Sequence, residues 1–392
     1  MNLPENKTKI NCCGCALCKE ICPKNAIQMK SDQYGYVYPD IDNTKCIHCG
    51  LCSRKCSYKN IEKRKYQSIS YAGTNTNEEQ KLKSTSAGVF SALATRTIEL
   101  GGCVYGASMQ FLKNNSVEVK HIGIDSIEDL EKLQGSKYVQ SDISCVLHNI
   151  KKQLINGKLV LFSGTPCQVA AIKEITGNPS NLITVDLICH GVPSCKFLQD
   201  YLISFEKKQK DKLVDFKFRD KSQGWDLDGI LIGKKDNYKF SPIDSSYYRL
   251  FLDCEIFREN CYQCPFANDK RIGDITIGDY WGIQEYSPEL LSENGGFIKA
   301  ETGASCILEN TEKGRDYLNN CGDLIRKQIV DIDKLKKRNT QLVHPAVYTK
   351  LRDRILRAYE KKGYDGVEKK FYRWLLCDKI KKKFKRLIKK II

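Results

Sequence analysis

The sequence predicts an α/β protein in three parts: a small cysteine-rich α+β module, an α/β domain with a mainly parallel or mixed sheet, and a helical C-terminal tail. Three observations predict it. Cysteines come in two matching runs, Cys12 to Cys22 and Cys46 to Cys56. From residue 68, short apolar runs alternate with amphipathic stretches, the pattern of strands and helices in turn. The stretch 331–392 is lysine-rich with apolar positions at helical spacing. The expected division is 1–65, 66–150, 151–330 and 331–392.

Composition narrows the function classes. With 41% hydrophobic and 28% charged residues among 392, the chain has the balance of a soluble globular protein. No run reaches the roughly 18–20 apolar residues of a membrane-spanning helix, and the polar start lacks the apolar core of a secretory signal. Twenty cysteines in such a chain point to metal or cluster ligation before disulfides, and to a reducing cytoplasm. The net charge of +17 is concentrated at one end, where residues 361–392 hold 13 Lys/Arg against 3 Asp/Glu. No nucleic-acid-binding module accompanies it, so no nucleic acid is expected as a partner.

The first run, CCGCALCKEICP, contains Cys12, Cys15, Cys18 and Cys22 at C-x2-C-x2-C-x3-C followed by Pro23, with Cys13 left over. The same pattern returns as Cys46, Cys49, Cys52 and Cys56, with Ser57 in place of the proline. Three cysteines two residues apart wrap one face of a cubane, and the fourth points away toward a second centre. Two zinc knuckles are the alternative, although zinc sites favour paired C-x2-C elements. Residues 1–62 resemble a bacterial-type two-cluster ferredoxin. The resemblance implies one 4Fe-4S centre on Cys12, Cys15, Cys18 and Cys56, and another on Cys46, Cys49, Cys52 and Cys22. Between the runs, AIQMKSDQYGYVYPDID has the alternation and punctuation of a small hairpin.

The stretch 60–67 reads as a charged linker. Strands are expected at 68–74, 103–109, 158–164 and 182–188, and a further one within 271–282. Helices are expected at 88–100, 125–134, 142–156, 168–176 and 195–209. Sites in such sheets form where loops leave the carboxyl ends of strands. KSTSAGVF places Ser84, Thr85 and Ser86 ahead of a helix and Gly88 at its start, which suits a phosphate or, equally, an ordinary capped helix. SGTPCQ sets Cys167 at a helix start, where a thiol is activated. DLICHGVPS carries Cys189 and His190. Neither G-x-G-x-x-G after a strand nor a P-loop occurs.

Cys254, Cys261 and Cys264 form a C-x6-C-x2-C group that needs a fourth ligand, for which Cys189 and Cys167 are candidates. A third 4Fe-4S centre is the preferred reading; zinc and a merely buried group are the alternatives. Cys103, Cys145, Cys195, Cys306, Cys321 and Cys377 have no ligand spacing and read as buried or incidental.

STSAGVFSALA, QGSKYVQSDI, LFSGTPCQVAAIK, DLICHGVPS, the Cys254/Cys261/Cys264 set and DITIGDYWG, in that order, resemble the coenzyme F420 hydrogenase/dehydrogenase beta-subunit family over roughly residues 68–330. In that resemblance 66–150 and 151–330 are the N- and C-terminal parts of the subunit. It implies a flavin-binding α/β domain that takes FAD without a Rossmann fold, and a further 4Fe-4S cluster. It also implies an FAD- and 4Fe-4S-dependent oxidoreductase acting on a deazaflavin-type or other organic two-electron substrate, with a ferredoxin-like or other redox partner protein. An electron-transfer subunit without a substrate of its own is the alternative. The family pattern implies a flavin pocket on Ser84, Ser86, Gly88, Ser136, Lys137, Thr165, Gln168 and Gly191. Ala87 stands where relatives usually have glycine. Lys137, Cys167 and His190 are the candidate catalytic residues: Lys137 to stabilise charge on the reduced ring, or as a solvated lysine; His190 as a proton donor, or as a structural histidine.

In the tail, Ile380, Phe384, Leu387, Ile388, Ile391 and Ile392 form one apolar stripe opposite Lys and Arg. Such a helix suits peripheral contact with an anionic membrane through 378–392, or docking on its own domain or a partner.

Overall fold

The computed structural model describes residues 3–4, 8–58, 68–113 and 116–391, with the side chains of Gln223 and of 377–391 outside that description. The expected linker at 60–67 lies outside the described residues.

The N-terminal module is a duplication in the backbone as well as in the sequence. Left-handed residues recur at matching positions of the two runs, Gly14 with His48 and Ala16 with Gly50. Each pair precedes a single helical turn, Leu17–Glu20 and Leu51–Arg54. Between the turns lies the hairpin β1 (Ile27–Ser31) and β2 (Val37–Ile41), antiparallel with Ile27 opposite Ile41 and Ser31 opposite Val37.

The larger domain carries two sheets. In chain order its strands begin with β3 (Ile69–Asn75), β4 (Cys103–Phe111), β5 (Val117–Ile124), β6 (Val160–Gly164) and β7 (Leu182–Leu187). Then come β8 (Leu213–Lys217), β9 (Gly229–Gly233) and β10 (Asn237–Phe240), which form a small antiparallel sheet of their own. The last three are β11 (Ile275–Asp279), β12 (Ser305–Glu309) and β13 (Ile325–Ile329). The main sheet has eight strands in the spatial order β13-β3-β12-β11-β7-β6-β4-β5. The four central strands β4, β6, β7 and β11 run parallel, and antiparallel strands flank them on both sides, so the sheet is mixed. It draws strands from both sides of residue 150.

The parallel core follows from strand–helix alternation. Near-continuous apolar runs such as Val160-Leu161-Phe162 are buried on both faces, as strands covered by helices must be. Leu161 packs with helix Val89–Glu99 and Tyr317 on one face. Val160 and Phe162 pack with helices Leu147–Ile155 and Pro166–Thr176 on the other. The expected helix at 125–134 is a 3-10 turn, Ile127–Lys132.

The small sheet carries an aromatic core with Phe216, Phe218, Phe240 and Tyr248. The C-terminal helix Lys350–Ile391 is interrupted by non-helical geometry at Lys362 and Gly363. Its first half buries Ile355, Tyr359, Tyr364, Val367 and Phe371 against the domain. The apolar stripe of residues 380–392 lies outside the described side chains. No helix among the described residues is long and apolar enough to cross a membrane.

Candidate functional site

Two strand ends, the 258–264 loop and the first cysteine run meet at one cavity. β6 ends at Gly164 and delivers Thr165 and Cys167, and β7 delivers Cys189, His190 and Gly191. The 258–264 loop adds Arg258, Cys261 and Cys264, and the N-terminal module contributes Cys13. Five sulfurs therefore face one chamber. Desolvation, reinforced by the charges of Cys261 and Cys264, pushes the Cys189 thiol far up, and burial carries Cys261 up to about 12. Cys13 hydrogen-bonds to Cys15, which lowers its pKa, but Cys167 and burial outweigh this and leave it well above the ordinary value. Burial of this kind disfavours the thiolates of Cys13, Cys189, Cys261 and Cys264 unless a cationic centre draws them out. Among the described residues no three Cys, His, Asp or Glu side chains converge closely enough to chelate a single ion.

Cys254 lies behind His190, a residue of the chamber wall. It does not line the chamber; its Sγ sits 3.4 Å from His190 Nε2, on a left-handed backbone at φ 63°. Cys167 and Cys13 stand at the chamber instead. His190 has both ring nitrogens engaged, Nε2 with the Leu252 carbonyl at 3.0 Å and Nδ1 with Gln341 at 3.0 Å. Burial lowers its pKa, and the residue also lines the chamber.

The eight cysteines of the two runs lie in the module, where Cys12, Cys18 and Cys56 are buried and Cys49 is exposed. The Ala26 N–H donates to Cys22 Sγ at 3.3 Å. Of the cysteines without ligand spacing, Cys103, Cys306 and Cys321 are buried, Cys195 is half-buried and Cys145 is exposed, while Cys377 lies outside the described side chains.

The expected flavin residues separate into two groups. Thr165, Gln168 and Gly191 line the cysteine chamber. Thr165 and Gln168 also form the capping box of helix Pro166–Thr176. Ser84, Ser86, Gly88, Ser136 and Lys137 gather elsewhere on the same sheet edge. The Ser136 N–H donates to Thr85 Oγ1 at 2.8 Å, joining the two loops. The Ser84 and Ser86 hydroxyls donate to the carbonyls of Gln80 and Ala304. Gly88, left-handed at φ 75°, begins helix Val89–Glu99 without a side-chain cap, which leaves first-turn N–H groups for a ligand. Lys137 donates to the Gln134 carbonyl at 2.6 Å, and desolvation draws its pKa down to about 7.

Lys221, Arg219, Trp225 and Tyr248, also at this edge, belong to no motif recognised in the sequence. Lys221 reaches from the loop after β8 to the carbonyls of Lys81, Ser86 and Thr302. Arg219 pairs with Asp279 at 3.3 Å and lies over Trp281, whose ring stacks on Trp225 at 4.7 Å and 2°. Among the described residues, Arg219 Nη2 and Tyr248 Oη are both buried without a hydrogen-bond partner, an arrangement that a bound acceptor would satisfy. The signal that could have found them is FRDKSQGW, with two basic residues and a tryptophan directly after a strand. His121, buried between the Ser163 carbonyl and Ser141 Oγ at 3.0 Å each, gives no sequence signal.

The duplicated cysteine module and the mixed α/β domain with a cysteine chamber at its strand ends define an iron–sulfur electron-transfer protein. Residues 11–61 match the 4Fe-4S dicluster domain, and residues 157–336 match the carboxyl-terminal region of the coenzyme F420 hydrogenase/dehydrogenase beta subunit. Over residues 157–336 the chain is thus similar to the coenzyme F420 hydrogenase/dehydrogenase beta subunit, and over 11–61 to ferredoxin-type dicluster domains. An uncharacterized ferredoxin of Methanocaldococcus jannaschii is 42% identical over 59 residues, 14% of this chain and 32% of that protein, so the chain spans about a third of that relative's length. Among solved structures, one similar chain is from the F420-reducing [NiFe] hydrogenase complex of Methanosarcina barkeri, at 16% identity and a TM-score of 0.46, covering 71% of this chain and 91% of that one.

Proposed function

We propose that the protein transfers electrons between 4Fe-4S centres and an organic two-electron substrate, with FAD between them. Two centres sit on the N-terminal runs, and a third sits on Cys167, Cys189, Cys261 and Cys264. The residues fit these groups: the chamber offers clustered buried thiols, and the second site offers an uncapped helix start beside two unpartnered buried donors. FAD supplies exchange between one- and two-electron steps when bound.

The carrying observation is that one short loop borders both sites. Lys137 belongs to the second site, while Gln140 forms the chamber wall. The three steps of extended chain between them reach at most about 10 Å, so electrons need only a short path. In this reading Gly88 and the first turn of its helix bind phosphate, and Lys221 holds the surrounding loops together. Arg219 and Tyr248 donate to an acceptor on the ring or substrate. Lys137, poised near neutrality, takes up a proton when negative charge develops beside it.

A redox partner protein docks at the second cysteine run, where Cys49 is exposed and Ile47 is 56% exposed beside it. The basic stripe of 378–392 holds the protein to anionic membranes of the cytoplasm. Salt-sensitive pelleting with anionic vesicles that is lost on deleting 378–392 supports this contact, and unchanged pelleting rejects it.

Anaerobic protein should contain about 12 iron atoms per chain, three cubanes of four, and release FAD on denaturation. Protein that stays without flavin after incubation with FAD overturns the flavin assignment. A colourless zinc-loaded protein overturns the whole reading.

A further inference from the structure

Arg258 lies between Cys254 and Cys261 in sequence and is 0% exposed. Its three nitrogens are spent on joining two parts of the molecule. Nε donates to the Cys12 carbonyl at 2.9 Å, and Nη2 to the Val37 carbonyl at 2.7 Å. Nη1 donates to Gln140 Oε1 at 3.2 Å, while Gln140 in turn donates to the Cys13 carbonyl at 3.0 Å. The guanidinium lies 4.1 Å from the centre of the Tyr38 ring. Gly14 is without a side chain where it passes: a Cβ there would lie 3.0 Å from Nη1 and Nη2 and 2.7 Å from the Val37 carbonyl. The same arginine side chain also lines the cysteine chamber.

Each of its three nitrogens has a hydrogen-bond acceptor, but its charge is not balanced. Buried Arg219 and Arg271 have Asp279 and Asp186 within 3.3 and 3.4 Å. No carboxylate ion-pairs with Arg258 among the described residues, and its hydrogen-bond acceptors are all neutral carbonyl or amide oxygens. A buried cation without a counter-charge is costly. The groups flanking it are the start of the first cysteine run and the chamber. A thiolate-held iron–sulfur centre carries net negative charge, so one on either side would supply what the carboxylates do not.

We infer that Arg258 is the built-in counter-charge of the centres on either side of it and the clamp that fixes the first run against the chamber. The inference rests on the chamber reading given under Proposed function. It makes Arg258 a positioning residue with an electrostatic role: its fixed charge favours added electrons and holds the neighbouring potentials up.

The test uses the full chain, purified anaerobically, with iron quantified before an EPR-monitored potentiometric titration. Arg258→Met removes the charge and keeps a long apolar stem; Arg258→Lys keeps the charge and loses the fork. With iron retained, Arg258→Met should move at least one midpoint to more negative potential by a tenfold change in the one-electron equilibrium, about 59 mV. Arg258→Lys should shift it less than half as far. Greater iron loss in Arg258→Met than in Arg258→Lys also supports the inference. Unchanged midpoints in an iron-replete Arg258→Met, or equal iron loss in both variants, overturns it. A wild-type chain with about eight irons would end the chamber reading separately, and Arg258 is then judged by the first-run midpoint alone.

Discussion

At the scale of single residues, burial and partner count decide which cysteines and histidines are available for chemistry. Cys254 sits beside His190, whereas Cys264 faces the chamber. Cys264→Ser should therefore lower iron by about four atoms per chain, one cubane, while Cys254→Ser should leave iron content unchanged; matched iron assays on anaerobic protein decide it. His121 gives a pH dependence whose sign comes from its site. Desolvation lowers its pKa from 6.5 to about 4, so between those values the unfolded chain binds the extra proton. Stability is then full above about pH 6.5 and is lost as pH falls toward 4, by roughly 3 kcal/mol for a shift of this size. Denaturant unfolding of His121→Gln should show a markedly weaker loss across that window than the unaltered chain. Gly191 is decided by space: at φ 134°, a Cβ would meet Phe257 at 2.3 Å. Gly191→Ala should cost about 2–3 kcal/mol, read from the same unfolding curves.

At the scale of elements, the loop that leaves each strand matters more than the strand. β6 and β7 end in loops that turn sulfur toward one cavity. The loop after β8 sends Lys221 back to three carbonyls around the Ser84–Gly88 segment. Lys221 is a tie between loops, so Lys221→Met should weaken FAD retention at least severalfold and speed hydrogen exchange at 84–88. Its iron content should not change. Equal loss of iron and flavin would instead indicate general unfolding. The strands and helices around these loops were legible because burial imposes periodicity, as in Val160–Gly164 and Val89–Glu99. β5, β12 and the small β8–β10 sheet were not legible in the same way. For β12 the partner lies far off in sequence: it pairs with β3, so that Ser305 stands opposite Gly73.

At the scale of the molecule, the cysteine module is held to the larger domain by buried polar contacts. Tyr36 Oη donates to the Ile256 carbonyl at 2.8 Å and Tyr58 Oη to that of Asn260 at 3.2 Å, in addition to Arg258. Both acceptors belong to the segment that carries Cys261 and Cys264. Removing iron with a chelator should therefore expose 8–58 and 254–271 to protease together; cleavage confined to the first segment would show that the two parts are uncoupled.

The cysteine spacing by itself determined the dicluster module, because a cubane demands thiolates at a fixed local reach and neighbours in sequence can meet it. It left the alternating α/β core to hydrophobic periodicity, which is local too. Only the tertiary structure decided that Cys13 and Cys167, not Cys254, face Cys189, Cys261 and Cys264. It alone brought Arg258 to the Cys12 carbonyl, 246 positions away in sequence, and divided the expected flavin residues between two places. Those outcomes depend on which loops meet at the edge of a mixed sheet, and long-range packing leaves no periodic trace in the chain.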